Sequence, residues 1–155
     1  MPRISGAIIV IGWMLLAVVS VQAQEVTVPE AARALAENVL GEGQVKMIRA
    51  TDGVATILIR WESATYKAEH SQAVSRELLY YEALLTSNAI IGQLPQVVRI
   101  RFTLLQGERM LATGEASRTK GVSVMFSPSM GGGLYVPPPQ SPNPIIPASR
   151  AEQTQ

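Results

Sequence analysis

The sequence contains one histidine, His70, and a glutamate, Glu77, follows it after seven residues. On a helix this spacing is two turns, or about 10 Å of rise, so the two side chains lie too far apart to form a catalytic pair. A zinc site needs further histidine or cysteine ligands, and the chain has no cysteine and no second histidine. No G-x-S-x-G motif presents a serine nucleophile. We therefore expect no catalytic residues, no metal and no other cofactor, and the protein is not predicted to be an enzyme.

These two residues belong to a predicted long helix over residues 66–91. Advancing by about 100° per residue places the large apolar side chains on one side, which we expect to face the core: Val74, Leu78, Tyr81, Leu84 and Leu85. Ser75 and Thr86 fall on the opposite side, and Glu77 falls on the apolar side. A carboxylate there is expected to be paired or neutralised.

Two interpretations of Glu77 remain open. In the first, His70 lies at the exposed first turn, and Glu77 pairs with a basic residue or reaches the edge of the layer. In the second, a ligand pocket lies between this helix and the sheet, and its lining residues are Trp61, Glu77, Tyr80 and Tyr81. If Glu77 is buried and paired, Glu77→Ala is expected to cost more than about 1 kcal/mol.

The elements around this helix carry clear local signals. A first helix is expected from Thr27, an N-cap that forms a capping box with Glu30, to a stop at Gly41. Asp52-Gly53 predicts a hairpin turn. A second hairpin is expected over residues 96–118 with a three-residue loop at 106–108, which sets Glu115 opposite Arg99. A fifth strand is expected from residue 121.

The resulting order of elements predicts an α+β fold. We expect a two-layer αββαββ domain over residues 24–126, with an antiparallel sheet and both helices on one face. The other face of that sheet is the outer face, and it is expected to carry a set of charged side chains: Arg49, Arg60, Arg99, Arg101 and Glu115. Its expected apolar members are Met47, Leu58, Val97 and Leu105. Such a mixture suits a binding face for a protein or an anionic envelope component, although an ordinary solvated face is the alternative.

The two ends of the sequence differ from its centre. Residues 1–23 combine Arg3, an apolar run over residues 7–21 and small residues before Gln24, which predicts a cleaved signal peptide and a secreted or periplasmic protein. The alternative is an uncleaved amino-terminal membrane anchor. Residues 127–155 hold seven of the ten prolines and a triple glycine, which predicts a flexible tail.

These observations limit the function classes. After removal of the predicted signal peptide the net charge falls from +1 to 0, because Arg3 is lost, so nucleic acid is not an expected partner. No membrane span is expected in the mature chain. The favoured interpretation is an exported, non-catalytic module that binds a protein or envelope component through the outer face. The alternative is a carrier of a small ligand in the pocket beside the long helix.

Overall fold

The computed structural model describes residues 26–138 of the 155-residue chain. Helix α1 (Val28–Leu40) precedes the first hairpin, and helix α2 (Gln72–Gln93) precedes the second. Six strands follow one another across a single sheet in chain order: β1 (Val45–Thr51), β2 (Thr56–Glu62), β3 (Arg99–Gln106), β4 (Arg109–Ser117), β5 (Gly121–Phe126) and β6 (Gly133–Leu134). The predicted α+β class is confirmed.

Helix α1 begins and ends where its sequence signals predict. The Thr27 backbone N–H donates to the Glu30 carboxylate at 2.9 Å, and the Glu30 N–H donates to the Thr27 hydroxyl, which completes the capping box. Hydrogen bonds from the Thr27 backbone and hydroxyl lower the pKa of Glu30 below its ordinary value. At the other end, Gly41 has a φ of 105° and donates its N–H to the Glu37 carbonyl.

The sheet is not wholly antiparallel, which corrects the prediction. Strands β2 and β3 pair in parallel, with Ile57 beside Ile100 and Ile59 beside Phe102. The connection between them runs through α2, and such a crossover brings the chain back to the same end of the sheet. Each hairpin is antiparallel internally, so the parallel pair is the junction between the two hairpins.

The predicted register of the second hairpin is also wrong. The loop contains two residues, Gly107 and Glu108, and a bulge follows in β4 between the partners of Leu104 and Leu105. Glu115 therefore lies opposite Arg101 instead of Arg99. The extra bulge residue restores the alternation that a two-residue loop alone would have inverted, so polar side chains still share the outer face.

Helix α2 starts later than predicted and presents the opposite face to the core. Its N-cap is Ser71, whose hydroxyl accepts from the Val74 N–H. The side chains that were expected to be buried are exposed at Val74, Tyr81 and Leu85. The buried side is instead largely small and polar: Ser75, Leu79, Glu82, Ala83, Thr86, Ser87, Ile90 and Ile91.

Small side chains on both helices account for this orientation. Ala32 and Ala36 of α1 are fully buried, as are Ser75 and Ala83 of α2, and the two helices are in contact. Small residues allow helix axes to approach closely, so helix α2 is oriented by packing against α1 and the sheet rather than by its most apolar side.

A single core joins the helices to the inner face of the sheet. It includes buried residues of α1 and α2 together with Ile57, Ile59 and Trp61 of β2 and Phe102 of β3. The rings of Trp61 and Phe102 lie 5.4 Å apart. Because helix residues and inward strand residues share this core, the opposite face of the sheet is left to the polar side chains of the strands.

The ordered fold continues beyond Phe126, at which the predicted domain ended. Met130 is buried, β6 pairs with β5, and the Tyr135 ring packs against Phe126. The predicted signal peptide and the rest of the predicted tail, from residue 139, lie outside the described residues. Among residues 26–138, no helix has both the length and the apolar character needed to cross a membrane.

Candidate functional site

The strand register places all five predicted charged residues on the outer face. One row across the sheet runs from Arg49 to Leu58, then to Arg101 and to Glu115. The neighbouring rows on the same face lie two residues before or after it on each strand. They place Arg60 beside Thr103 and Arg99 opposite Ser117.

Glu115 lies between two of the arginines. Its carboxylate oxygens lie 3.3 Å from Nε of Arg99 and 3.3 Å from Nε of Arg101. The side chains of both arginines remain about half exposed, so these ion pairs contribute little to stability. One carboxylate is thus shared by two guanidinium groups.

Arg49 and Arg60 have no such partner. Both are exposed, and neither forms an ion pair within 4.0 Å with any residue in the described part of the chain. They lie on β1 and β2, next to the half-buried apolar side chains of Met47 and Leu58. A shallow depression of about 170 Å³ is lined by Met47, Leu58, Arg60, Arg101 and Thr103. This half of the outer face therefore combines uncompensated positive charge with apolar surface.

Two of the predicted apolar members of this face are not exposed on it. Val97 is fully buried in the core, which corrects its assignment, because it precedes β3 rather than lying in it. Leu105 follows the outward alternation of β3 but is only 8% exposed. Met125 of β5, which is 48% exposed, contributes apolar surface that the sequence did not predict.

The most densely hydrogen-bonded polar side chain is Glu82, which the sequence analysis missed. The residue is 4% exposed, and its carboxylate accepts from the Trp61 indole N–H at 2.7 Å and from the Ser63 hydroxyl at 3.0 Å. It also accepts from the backbone N–H and the hydroxyl of Thr65, at 2.9 and 2.6 Å. All four donors come from β2 and the loop after it, so Glu82 fastens that loop to α2.

This network is closed and structural. Both carboxylate oxygens are occupied by protein donors, and burial leaves no room for a substrate next to them. Two sequence signals pointed to it: an acidic residue within the apolar run "LLYYEALL", and a tryptophan on the inner side of a strand, whose N–H needs an acceptor.

The predicted ligand pocket is only partly brought together: Glu77, Tyr80 and Tyr81 lie near Tyr135, and Trp61 lies apart from them. Trp61 is fully buried and bonded to Glu82, whereas Glu77 is exposed. Tyr81 is 39% exposed, and the Tyr80 ring packs between those of Tyr81 and Tyr135. The hypothesis that Glu77 is buried and paired is therefore wrong, because the side of α2 that carries it faces solvent.

Glu77 instead lines an open groove of about 550 Å³ between the first turns of α2 and the segment after β6. Its other lining residues include Val74, Tyr135, Val136 and Pro138. Partial burial raises the pKa of Tyr135 above its ordinary value, and the Glu77 carboxylate adds to that shift. His70 lies just before α2 and is half-buried, so it is not at an exposed first turn.

The described part of the chain contains no constellation suited to metal-assisted catalysis. Within residues 26–138, no three histidine, cysteine, aspartate or glutamate side chains are close enough together to hold an ion. Comparison of the chain with protein-family models, with curated proteins and with solved structures finds no match. The surfaces described above are therefore the features from which a function can be inferred.

Proposed function

We propose that the protein is an exported, non-catalytic module that binds an acidic protein partner through the outer face of its sheet. The observation that carries the proposal is the set of four arginines on this face, against two carboxylates: Glu115 lies between two of the arginines, and Glu62 accepts from the Gly107 N–H at 2.6 Å. A partner that presents carboxylates would complement this charge.

The residue types favour a protein partner over a solvated surface. Arginine and methionine are enriched at protein interfaces, whereas lysine is depleted there. The three rows of the outer face that include these arginines contain four arginines, with Met47 and Met125, and no lysine. A guanidinium group also binds carboxylates through two parallel hydrogen bonds, which an ammonium group cannot do.

The test uses a double charge reversal that breaks no hydrogen bond or ion pair of the two substituted side chains among residues 26–138. In the chain from Gln24 to Gln155, Arg49→Glu with Arg60→Glu removes the two outer-face arginines that form no ion pair with the described residues. The matched control is Lys46→Glu with Lys67→Glu, which changes the net charge equally at two exposed positions that belong to none of those three rows. Both proteins and the wild type are immobilised and used to capture proteins from envelope extracts at two salt concentrations.

The expected result is an acidic protein that is retained by the wild type and by the lysine control and lost by the arginine variant. High salt should weaken its retention, because exposed charges are screened. Equal retention by all three proteins would contradict binding through this face.

A second candidate is a small-ligand carrier, and the groove beside Glu77 is the observation that favours it. Its volume of about 550 Å³ lies within the range of small-molecule sites, and its walls are mainly apolar. The groove lies between α2 and the segment after β6, not between α2 and the sheet. A carrier should show a rise in melting temperature with a ligand, because binding only the native state stabilises it, and Val74→Glu should abolish that rise.

A further inference from the structure

We infer that a depression at the β4–β5 turn is a binding site for a dianionic phosphate group. It has a volume of about 260 Å³ and lies at the end of the sheet where β3 begins, β4 ends and β5 begins. The polar residues that line it are Arg99, Glu115, Ser117, Arg118, Thr119 and Lys120.

The strand register explains why cationic residues meet at this place. Arg99, the first residue of β3, lies opposite Ser117, the last residue of β4, and Ser117 lies opposite Gly121, the first residue of β5. The three residues between Ser117 and Gly121 form the turn, and they contribute Arg118 and Lys120. Two lysine or arginine side chains from the turn and one from the neighbouring strand therefore line the same depression.

Two of these cations are held in place by protein contacts. One guanidinium nitrogen of Arg118 donates to the carbonyls of Ile91 and Leu94 at the end of α2. The same contact covers the partial negative charge of that helix end, which would otherwise repel an anion. Nε of Arg99 contacts Glu115, so its other guanidinium nitrogens keep their donors. Cations fixed in this way lose less conformational freedom when an anion binds.

The charge of the depression fits a dianion. Arg99, Arg118 and Lys120 contribute three positive charges, and Glu115, which is also shared with Arg101, contributes one negative charge. A phosphate or phosphomonoester, which carries close to two negative charges above pH 7, would balance the remainder. A carboxylate would leave one positive charge uncompensated. The hydroxyl of Thr119 offers an additional donor.

This site shares Arg99 and Glu115 with the proposed protein-binding surface, but it does not involve Arg49 or Arg60. The Arg49→Glu, Arg60→Glu protein therefore loses the unpaired arginines of that surface while every residue that lines the depression is kept. Its ligand is a small anion or a phosphate group on an organic molecule. The two proposals can therefore fail independently of each other.

The experiment is a two-dimensional ¹H–¹⁵N NMR titration of the chain from Gln24 to Gln155 at about pH 8. Inorganic phosphate, glycerol 3-phosphate and acetate are added separately at constant ionic strength, because salt alone perturbs exposed charges. Lys120→Gln tests the site, and Lys67→Gln is the matched control, since it removes the same charge from an exposed position elsewhere. The Arg49→Glu, Arg60→Glu protein is titrated in parallel.

The expected result is saturable shifts of the backbone amides of residues 117–121 and 99 with inorganic phosphate. Lys120→Gln should weaken the affinity about fivefold, as loss of one exposed charge-assisted hydrogen bond predicts, and Lys67→Gln should leave it unchanged. The Arg49→Glu, Arg60→Glu protein should still bind phosphate, even if partner capture is lost. Tighter binding of glycerol 3-phosphate would identify a phosphomonoester as the ligand, and equal binding would identify free phosphate.

Two results would overturn the inference. The first is chemical-shift changes that do not saturate as phosphate is added, or that are reduced equally by Lys120→Gln and by Lys67→Gln. Either outcome would indicate general charge screening. The other is acetate binding as tight as that of phosphate, which would exclude a dianion site.

Discussion

The two faces of the sheet differ in what covers them. On the inner face, Ile57, Ile59 and Trp61 of β2 are at most 1% exposed beneath the helices. On the outer face, the same strand carries Leu58, half-buried, and Arg60, exposed, and no described element packs over them. One strand thus serves two purposes: its inward residues hold the fold together, and its outward residues are available for contact. Substitutions should separate these purposes, with effects on stability from one face and on binding from the other.

The largest effect is expected at Glu82, which joins the inner face to α2. Glu82→Ala removes the acceptor of the Trp61 indole and of three donors in the following loop, and leaves them buried without partners. We expect a loss of about 3 kcal/mol in the free energy of unfolding, measured by urea denaturation. The control is Glu77→Ala, five residues away and exposed, which should change stability by less than about 0.5 kcal/mol. Equal losses for the two variants would refute the assignment of the buried carboxylate.

A smaller loss is expected at Gly114, where the inner face has no room for a side chain. A Cβ at this position in β4 would overlap the Phe102 ring and the backbone carbonyl of Ser123. Gly114→Val should therefore destabilise the protein by about 2 kcal/mol through overpacking, although valine favours strands. Thr113→Val, one residue away on the outer face, is the control and should be nearly neutral. A stabilised Gly114→Val protein would show that this part of the inner face is loosely packed.

A pH-dependent effect is expected at the capping box of α1, one of the helices that cover the inner face. The pKa of Glu30 is lower in the folded protein than its ordinary value of 4.5. Its contribution to stability is therefore present above that pH and is lost as the pH falls through the folded-state pKa. The difference in melting temperature between wild type and Glu30→Ala should shrink below about pH 4. A difference that stays constant down to pH 2 would exclude the ionised capping box as its source.

The smallest effect on stability is expected on the outer face. Arg49→Glu with Arg60→Glu breaks no ion pair with the described residues, so the free energy of unfolding should change by less than about 0.5 kcal/mol. Urea denaturation of the same sample that is used for partner capture measures this directly. A loss comparable to that of Glu82→Ala would mean that these arginines serve the fold, and the contrast between the faces would disappear.

Elements with local signals could be predicted from the sequence, and their relative placement could not. The capping box of Thr27 and Glu30 and the hairpin connection at Asp52-Gly53 are contained within a few residues. The capping box and the position of the hairpin were confirmed, whereas the expected two-residue turn is a four-residue connection, because Thr51 pairs with Thr56. The parallel pairing of β2 with β3 depends on where α2 returns the chain. The register of β4 depends on a bulge for which the sequence contains no characteristic residue.

The orientation of α2 shows most clearly where sequence reasoning fails. A periodicity argument buries the most apolar side of a helix, and here that side, with Val74, Tyr81 and Leu85, is the exposed one. The other side is buried because the small side chains of Ala83 and Ser75 allow α1 to approach closely. It also carries Glu82, which the Trp61 indole N–H requires as an acceptor. The outer-face arginines could be assigned to one face because the alternation of side chains along a strand is a local rule. The prediction that Arg99 lies directly opposite Glu115 was wrong, because it depends on the register between two strands.

Site-specific photo-crosslinking tests the binding proposal most directly. A photoreactive phenylalanine analogue is placed at Thr103, near the centre of the outer face, or at Asn88, on the exposed side of α2. Each protein is irradiated in envelope extract, and covalent adducts are identified by mass spectrometry. Our account predicts an adduct with an acidic protein from position 103, its loss when Arg49 and Arg60 are changed to glutamate, and no such adduct from position 88. An adduct from position 88 alone, or one from position 103 that survives the double reversal, would contradict it.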